Sequence, residues 1–310
     1  MREYPGGVWP VMLTPFQTDG SIDEKGLRAL VDWYIDSGVD GLFASCQSSE
    51  IFHMNFEERI RIARITVDQA AGRVQVVASG HTDYPIEEQA HDVSAMAETG
   101  VDAVILLTNR LALEGEPDEA LLERLDQLLG RIDPEIPLGL YECPMPYKRL
   151  LSLPVIEACA KMGRFHFLKD TCCDIETIQA RLAVIKGTPL KLYNANTTTL
   201  LDSLRAGAPG YSGIMANFHP ELYVWLTRNI NAPEAPLVQS ALTLASLIER
   251  QLYPVNAKYH LKTIEHLPVE TTCRVKDDAG LTATFQEEVR QMDVLLSEIS
   301  RRLGIPEVRK

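Results

Sequence analysis

The sequence lacks several features that would place it in a familiar class. No apolar run approaches the roughly 20 residues that span a bilayer, and residues 1–10 show no basic start followed by an apolar core. Lys and Arg number 30 against 43 Asp and Glu, and the formal net charge of −13 disfavours nucleic acid and anionic membranes as partners. The six cysteines include no Cys-x-x-Cys pair, which argues against a zinc site and indicates free thiols in a cytoplasmic protein.

Short apolar runs alternate with amphipathic helical stretches along most of the chain. Eight candidate strands cover residues 8–14, 41–45, 74–79, 103–107, 138–142, 165–169, 190–193 and 210–213. Helical patterns lie between them at residues 23–37, 56–71, 86–99, 117–131, 154–161, 175–186 and 199–206. This order predicts parallel strands with right-handed crossovers, and eight of them fit a closed (β/α)8 barrel of about 250 residues.

The pattern becomes purely helical towards the end of the chain. After an expected eighth barrel helix at 221–230, two prolines interrupt residues 231–236, and helices are predicted at 237–252, 255–266 and 283–303. We therefore expect a barrel over residues 1–230 and a C-terminal helical domain over 231–310. Asp23 and Asn55 are expected to cap the helices that they precede, with Glu58 completing a capping box at Asn55.

In a barrel of this kind the catalytic side chains lie where the strands end at the C-terminal face. Lys169 ends the apolar sixth strand, where burial would lower the pKa of its amine and leave a nucleophile, unless the side chain extends to solvent. Tyr141 ends the fifth strand, where a phenol can carry protons, although a core tyrosine is the commoner use of such a position. Ser48 and Ser49 follow the second strand and offer O–H and N–H groups to a carboxylate, or form an ordinary polar turn.

Six segments, in order and at consistent spacing, carry a family resemblance. They are Gly7-Val8-Trp9-Pro10-Val11-Met12-Leu13-Thr14-Pro15-Phe16, Gln47-Ser48-Ser49-Glu50, Tyr141-Glu142-Cys143-Pro144, Leu168-Lys169-Asp170-Thr171, Gly210 to Asn217, and Pro254-Val255-Asn256-Ala257-Lys258. With these segments the chain resembles, nearly end to end, the dihydrodipicolinate synthase / N-acetylneuraminate lyase family of Schiff-base-forming pyruvate aldolases.

The resemblance implies a mechanism and an assembly. Lys169 would attack the C2 carbonyl of a 2-keto acid such as pyruvate, Tyr141 would move protons, and Gln47, Ser48 and Ser49 would lie in the loop that holds the carboxylate. The lysine supplies the covalent catalysis, so no metal and no organic cofactor is expected. The family resemblance also implies a homotetramer built as a dimer of dimers, or a dimer.

Further residues are expected to contact the substrate. Asn196 and Thr197 stand where sugar-acid lyases contact substrate hydroxyls, although they suit a solvated turn nearly as well. Ile214 lies in the segment that resembles the family's eighth strand. His81 follows the third strand at the active face, where a plain loop histidine is the alternative interpretation. Of the adjacent Cys172 and Cys173, we expect one to line the site and the other to pack.

Departures from the family pattern limit the predicted function. Gln47 replaces a hydroxyl residue of the synthases' proton relay, and the tyrosines usual after the fourth strand are absent. The arginine expected after Tyr141 is also absent, and Lys148 or Arg149 can replace it only if the loop bends back. We therefore expect a lyase or aldolase acting on a keto-deoxy sugar acid or a similar acid. A dehydratase using the same imine, a 4-hydroxy-tetrahydrodipicolinate synthase and a keto-acid-binding sensor remain open alternatives.

Overall fold

The computed structural model describes residues 3–306. Eight parallel strands form one sheet in the order β1-β8-β7-β6-β5-β4-β3-β2. They are β1 (Gly7–Val8), β2 (Gly41–Phe43), β3 (Gln75–Ala78), β4 (Ala103–Leu107), β5 (Leu138–Tyr141), β6 (Phe165–Asp170), β7 (Lys191–Asn194) and β8 (Gly210–Tyr211). A parallel bridge between Val11 and Phe43 joins the two outer strands, so the sheet closes into the predicted (β/α)8 barrel.

The closing strands are shorter than the sequence predicts. The expected first strand at residues 8–14 is regular only over Gly7–Val8. The chain beyond it still bonds to both neighbours, because the Trp9 N–H donates to the Tyr211 carbonyl at 2.8 Å and the Met12 N–H donates to the Phe43 carbonyl at 3.0 Å. Pro10 lies between them and has no N–H to donate, so a continuous ladder cannot form there.

Helices cover the outside of the barrel. They are α1 (Glu24–Asp36), α2 (Phe56–Ala70), α3 (Ile86–Ala97), α4 (Thr108–Leu111), α5 (Asp118–Leu129), α6 (Leu153–Lys161), α7 (Ile175–Ile185), α8 (Leu200–Arg205) and α9 (Pro220–Arg228). The single turn α4 was not predicted, because one turn leaves no apolar period in the sequence.

The predicted helix starts are confirmed. The Asp23 carboxylate accepts the N–H of Gly26 at 3.0 Å. Asn55 accepts the N–H of Glu58 at 2.9 Å, while the Glu58 carboxylate accepts the N–H of Asn55 at 3.1 Å, which is a complete capping box. These caps fix where α1 and α2 begin, and therefore the lengths of the loops that precede them at the barrel mouth.

Aromatic side chains fill the barrel interior. Phe167 stacks on Tyr193 with ring centres 4.2 Å apart, and the Trp9 ring meets Phe167 edge-on at 5.2 Å. Gly41 makes room for this layer, since a Cβ at that position would lie 2.4 Å from the Trp9 ring. The interior is therefore solid below the strand ends, and a substrate can reach only the upper rim.

The C-terminal helices are α10 (Ala235–Ala245), α11 (Val255–Thr263) and α12 (Ala283–Arg302). The predicted helix at 237–252 is instead α10 followed by a 3-10 segment, Ser246–Arg250, which contacts a second 3-10 segment, Ile214–Asn217, above β8. Because α10 also packs on α8 and α9, the proposed boundary at residue 230 remains a prediction. Over residues 3–306 no helix combines the length and apolar character that a membrane span needs.

Candidate active site

Lys169 and Tyr141 lie side by side at the carboxyl ends of β6 and β5. The two residues are register partners in the sheet. Nζ of Lys169 lies 4.1 Å from the centre of the Tyr141 ring and 5.9 Å from that of Phe43. Only 4% of Lys169 is exposed. The amine therefore points into the mouth of the barrel and is surrounded by aromatic faces.

The surroundings of Lys169 favour the neutral amine. Burial lowers the pKa of Lys169 below its usual range, while the Cys46 and Cys143 thiols and the Glu249 carboxyl oppose that shift. A lowered pKa raises the fraction of free amine near neutral pH, and the free amine is the nucleophile.

Gln47 accepts a hydrogen bond from the Tyr141 phenol. The phenol oxygen lies 3.5 Å from Oε1 of Gln47, and the Cys143 thiol lies 3.7 Å from the same oxygen. Burial, and then the neighbouring thiols, raise the pKa of Tyr141 well above its usual value. The phenol is thus protonated at rest, and an amide rather than a hydroxyl receives its hydrogen bond.

The loop after β2 contains one 3-10 turn, Gln47–Ser49. The Ser49 hydroxyl is fully buried, accepts the Cys46 N–H at 3.1 Å and lies 2.7 Å from the Met12 carbonyl and 3.0 Å from the Ala44 carbonyl. A hydroxyl has one proton, so in this geometry the Ser49 side chain holds the loop, and its predicted contact with a carboxylate stays a prediction. The Ser48 hydroxyl instead contacts the phenol of Tyr253.

Two residues of the C-terminal segment complete the rim, and the sequence analysis missed both. Tyr253 also accepts a hydrogen bond from Nδ2 of Asn217 at 3.1 Å, which fixes its phenol beside Ser48. Glu249 lies on the 3-10 segment Ser246–Arg250, and its carboxyl interacts electrostatically with the Lys169 ammonium. Burial raises the pKa of Glu249 to about 7. No sequence motif points to Glu249, because its place depends on how the C-terminal segment folds over the barrel.

The remaining expected site residues differ in burial and in the hydrogen bonds that their side chains already make. Asn196 is half-buried and Ile214 packs on the aromatic interior next to the site. The Thr197 hydroxyl is bonded to the phenols of Tyr211 and Tyr223, at 3.1 and 2.9 Å, and is buried. Through these bonds Thr197 supports the rim from beneath, and its predicted contact with substrate stays a prediction.

His81 is also committed to the barrel wall. Its Nε2 accepts the N–H of Leu107 at 2.9 Å, and the residue is fully buried. Burial lowers the pKa of His81 to about 3, and the positive charges of Arg110 and Arg59 act in the same direction. His81 is therefore a neutral imidazole that holds the end of β4, and its predicted contact with substrate stays untested.

A buried ion network supports the ends of β5 and β6 from outside the barrel. Glu142 and Asp170, the residues after Tyr141 and Lys169, both pair with Arg181 of α7. The Glu142 carboxylate also accepts the N–H groups of Leu151 at 2.7 Å and of Thr171 at 2.9 Å. Strand alternation explains the division, because Tyr141 and Lys169 face inward while their neighbours face the helices.

The loop after β5 offers one cation near the lysine strand. Nζ of Lys148 donates to the carbonyl of Thr171 at 3.0 Å, so its side chain reaches across to the end of β6. Arg149 turns the other way and pairs with Asp118 of α5 at 3.1 Å. Of the two candidates to replace the family's arginine, only Lys148 approaches the mouth of the barrel.

A buried ion pair anchors the loop to the C-terminal helices. Nζ of Lys258 lies 2.9 Å from Oε1 of Glu50, and each side chain is 1% exposed. Oε2 of Glu50 accepts the backbone N–H groups of Arg274 at 2.6 Å and Val275 at 2.9 Å. Glu50 has a left-handed backbone with φ of 65°, so this anchor also stabilises the end of the loop.

We expect Lys258→Met to lower the free energy of unfolding by about 3–5 kcal/mol, because it leaves the Glu50 carboxylate buried without its cation. The matched control on the same helix is Lys262→Met, whose partner Glu270 is exposed, and it should cost at most about 1 kcal/mol. Urea unfolding of the two variants makes the comparison. Equal costs would show that the buried pair has no special role.

The comparison with known proteins accounts for this arrangement. The sequence profile of the dihydrodipicolinate synthetase family matches residues 4–285. The chain belongs to this family. Its members include carbon–carbon lyases and synthases of the class I aldolase type, and this chain is an enzyme of that type.

Curated relatives are similar to the chain over most of its length, and solved structures show the same fold. The 4-hydroxy-tetrahydrodipicolinate synthase of Anaplasma marginale (strain Florida) is 28% identical over 225 residues, which cover 72% of this chain and 71% of that protein. The synthase of Methanothrix thermoacetophila is 26% identical over 273 residues, which cover 87% and 86%. YagE from E. coli K12, solved in complex with pyruvate, superposes with a TM-score of 0.83 at 21% identity, covering 94% of this chain and 98% of YagE.

Proposed function

We propose that the chain cleaves or forms a carbon–carbon bond of a hydroxylated 2-keto acid, such as a keto-deoxy sugar acid, through an imine on Lys169. The observation that carries the proposal is the buried amine of Lys169 beside the phenol of Tyr141, with its pKa lowered by burial. No resident cofactor is required, since the amine supplies the electron sink.

The proposed reaction proceeds in balanced steps. The Lys169 amine adds to C2 of the keto acid and water leaves, giving an iminium. In the cleavage direction the C4 hydroxyl loses its proton, the C3–C4 bond breaks, and its electron pair neutralises the iminium as an enamine while an aldehyde departs. Protonation at C3 and hydrolysis of the imine then release pyruvate and restore the amine.

The chain's own groups fit these steps in the following way. Ser48 and the backbone N–H groups of its loop hold the carboxylate, with Tyr253 bonded to the Ser48 hydroxyl. Tyr141 carries protons to and from the imine, and Gln47 orients its phenol. Ser49 contributes through the shape of the loop.

Glu249 is the proposed receptor for substrate hydroxyls beyond C3. Its carboxyl is close enough to Lys169 to interact with the ammonium, and it belongs to the segment that covers the mouth from the C-terminal side. Asn196 follows β7 and Ile214 follows β8, so one polar and one apolar residue stand at the same face of the barrel. A carboxylate that accepts hydrogen bonds from hydroxyls suits a polyol chain better than an apolar aldehyde.

Glu249→Gln should raise KM for a hydroxylated keto acid by about 10–100-fold, the value of one charge-assisted hydrogen bond. Pyruvate trapping on Lys169 should not change. In the wild type, kcat/KM should fall as pH falls through about 7, because the carboxylate becomes protonated there, and the Gln variant should lack this limb. The exposed Glu234→Gln is the control. An unchanged KM and pH profile would remove Glu249 from the substrate site.

A substrate panel tests the proposed function. We expect release of pyruvate and an aldehyde from keto-deoxy sugar acids, and condensation of pyruvate with aspartate semialdehyde far below the roughly 10 per second typical of enzymes. Borohydride trapping, followed by product analysis, makes the measurement. Loss of water without carbon–carbon cleavage would identify a dehydratase, ordinary synthase turnover would identify a 4-hydroxy-tetrahydrodipicolinate synthase, and an imine without turnover would identify a sensor.

We further propose a cytoplasmic homotetramer, a dimer of dimers. Exposed apolar side chains on α10 and α12 support an assembly, among them Leu237, Leu244, Val294 and Leu295, which are 50–69% exposed. Sedimentation of the purified protein measures its mass directly. One family structure is described as a monomeric dihydrodipicolinate synthase variant, so a monomer is the outcome that would contradict the proposal.

A further inference from the structure

Three buried side chains from distant parts of the chain meet where the chain after β8 approaches α11 and α12. His219 follows the 3-10 segment Ile214–Asn217, His260 belongs to α11, and Asp293 belongs to α12. Each residue offers one nitrogen or oxygen atom that could bind a metal, and these three atoms lie within 4.8 Å of one another. All three residues are buried. None of them takes part in the proposed reaction at Lys169.

The two imidazoles leave polar atoms without partners. Within residues 3–306, Nε2 of His219 and both ring nitrogens of His260 are buried and have no hydrogen-bond partner. Buried polar atoms are nearly always paired in folded proteins. These unpaired nitrogens therefore need an explanation, such as a bound ion or water. Nε2 of His260 is 3.8 Å from Oδ1 of Asp293, which is too far for a hydrogen bond.

The orientation of His219 is typical of a metal ligand. Its Nδ1 lies 3.4 Å from Oε1 of Glu221, so a proton on Nδ1 would face that carboxylate, and the lone pair of Nε2, which has no hydrogen-bond partner within residues 3–306, would be left for a metal. Metal-bound histidines commonly direct their other ring nitrogen to a carboxylate in this way. Ser297 donates to Oδ1 of Asp293 at 3.3 Å, which orients the third candidate ligand.

We propose that His219, His260 and Asp293 form a binding site for a divalent transition metal, with zinc the best match. Two imidazoles and one carboxylate are a common zinc donor set, and water can complete the tetrahedron. Ligand atoms about 2.0–2.2 Å from zinc are about 3.4 Å from one another. The three groups therefore need to close by little more than 1 Å.

The metal would have a structural role. It would join the chain after β8, α11 and α12. Asn217 lies in the chain after β8, and Tyr253 lies just before α11. The two residues meet at the rim of the active site. None of the three ligands is Lys169 or belongs to the carboxylate loop, so we expect the imine to form without the metal. The sequence does not reveal it, because the three ligands are far apart and have no motif spacing.

The test uses the full-length protein after removal of metals with a chelator. Addition of Co²⁺ should give visible d–d absorption without the near-ultraviolet sulfur-to-cobalt band of cysteine ligation. Addition of Zn²⁺ at about 100 times its Kd should raise Tm by about 5 °C. Absence of both effects would overturn the site, and a sulfur band would overturn it by assigning the metal to cysteines.

Variants identify the ligands. His219→Gln and Asp293→Asn should each lose the cobalt spectrum and the zinc-dependent rise in Tm. The surface variant His266→Asn should keep both, and asparagine tolerates the positive φ of 57° at that position. Retention of the full cobalt spectrum in either ligand variant would overturn the assignment. If a ligand variant fails to fold, the cobalt spectrum of the wild type still decides whether the site exists.

Discussion

Replacement of Lys169 by methionine is expected to abolish borohydride trapping of pyruvate and to lower turnover by about 10⁴-fold or more, the scale of loss when a covalent nucleophile is removed. Methionine keeps the aliphatic stem that packs beside Tyr141 and Phe43. It also removes a buried amine whose pKa is lowered by its surroundings, so Tm should not fall. Mass spectrometry of the reduced adduct gives the result directly.

Lys161→Met is the matched control. Lys161 lies on the surface of α6 with 70% of its side chain exposed, in an ion pair with Glu157. This variant should acquire the reduced pyruvate adduct and keep wild-type turnover. An adduct on another lysine in Lys169→Met, or trapping that survives the substitution, would show that Lys169 is not the nucleophile.

Much of the fold follows from local pattern. The strand predicted at 165–169 is observed as Phe165–Asp170, and the caps at Asp23 and Asn55 form the predicted hydrogen bonds. These features depend on apolar period and side-chain length, which the sequence displays. The break between Ala245 and Ser246 was missed, because residues 237–252 keep a helical period while the contact with Ile214–Asn217 selects the tighter 3-10 turn.

The sequence analysis likewise named some residues of the candidate site and missed others. The strand ends predicted where Lys169 and Tyr141 lie, and the family resemblance predicted what they do. Glu249 and Tyr253 were not predicted, since their approach to the mouth depends on tertiary packing of the C-terminal segment. Ser49 shows a further limit, because a serine in a polar loop looks the same in sequence whether its hydroxyl is free or bonded to carbonyls.

Tyr141 and Glu142 are adjacent, and either could be the proton carrier on chemistry alone. The structure separates them by direction. The Tyr141 phenol faces Gln47 inside the mouth, whereas the Glu142 carboxylate is fully buried outside the barrel against Arg181. Burial raises the pKa of Glu142, and Arg181 opposes that shift. We therefore expect one substitution to affect catalysis and the other to affect stability.

Tyr141→Phe should lower turnover by about 10²–10⁴-fold, the usual contribution of a general acid–base group, with Tm nearly unchanged because the ring remains. Pyruvate trapping on Lys169 should be slower but still complete.

Glu142→Gln should lower the free energy of unfolding by about 1–3 kcal/mol. In the wild type the N–H groups of Leu151 and Thr171 each donate to a Glu142 carboxylate oxygen, and in the variant one of them must face an amide –NH₂. Its kcat at a temperature where it is folded should stay within a few-fold of the wild type. Turnover and thermal melts of both variants, measured side by side, decide the assignment. If Glu142→Gln loses the 10²-fold or more expected of the proton carrier while Tyr141→Phe keeps its rate, the proton carrier is the glutamate, and the phenol serves only to shape the pocket around the imine.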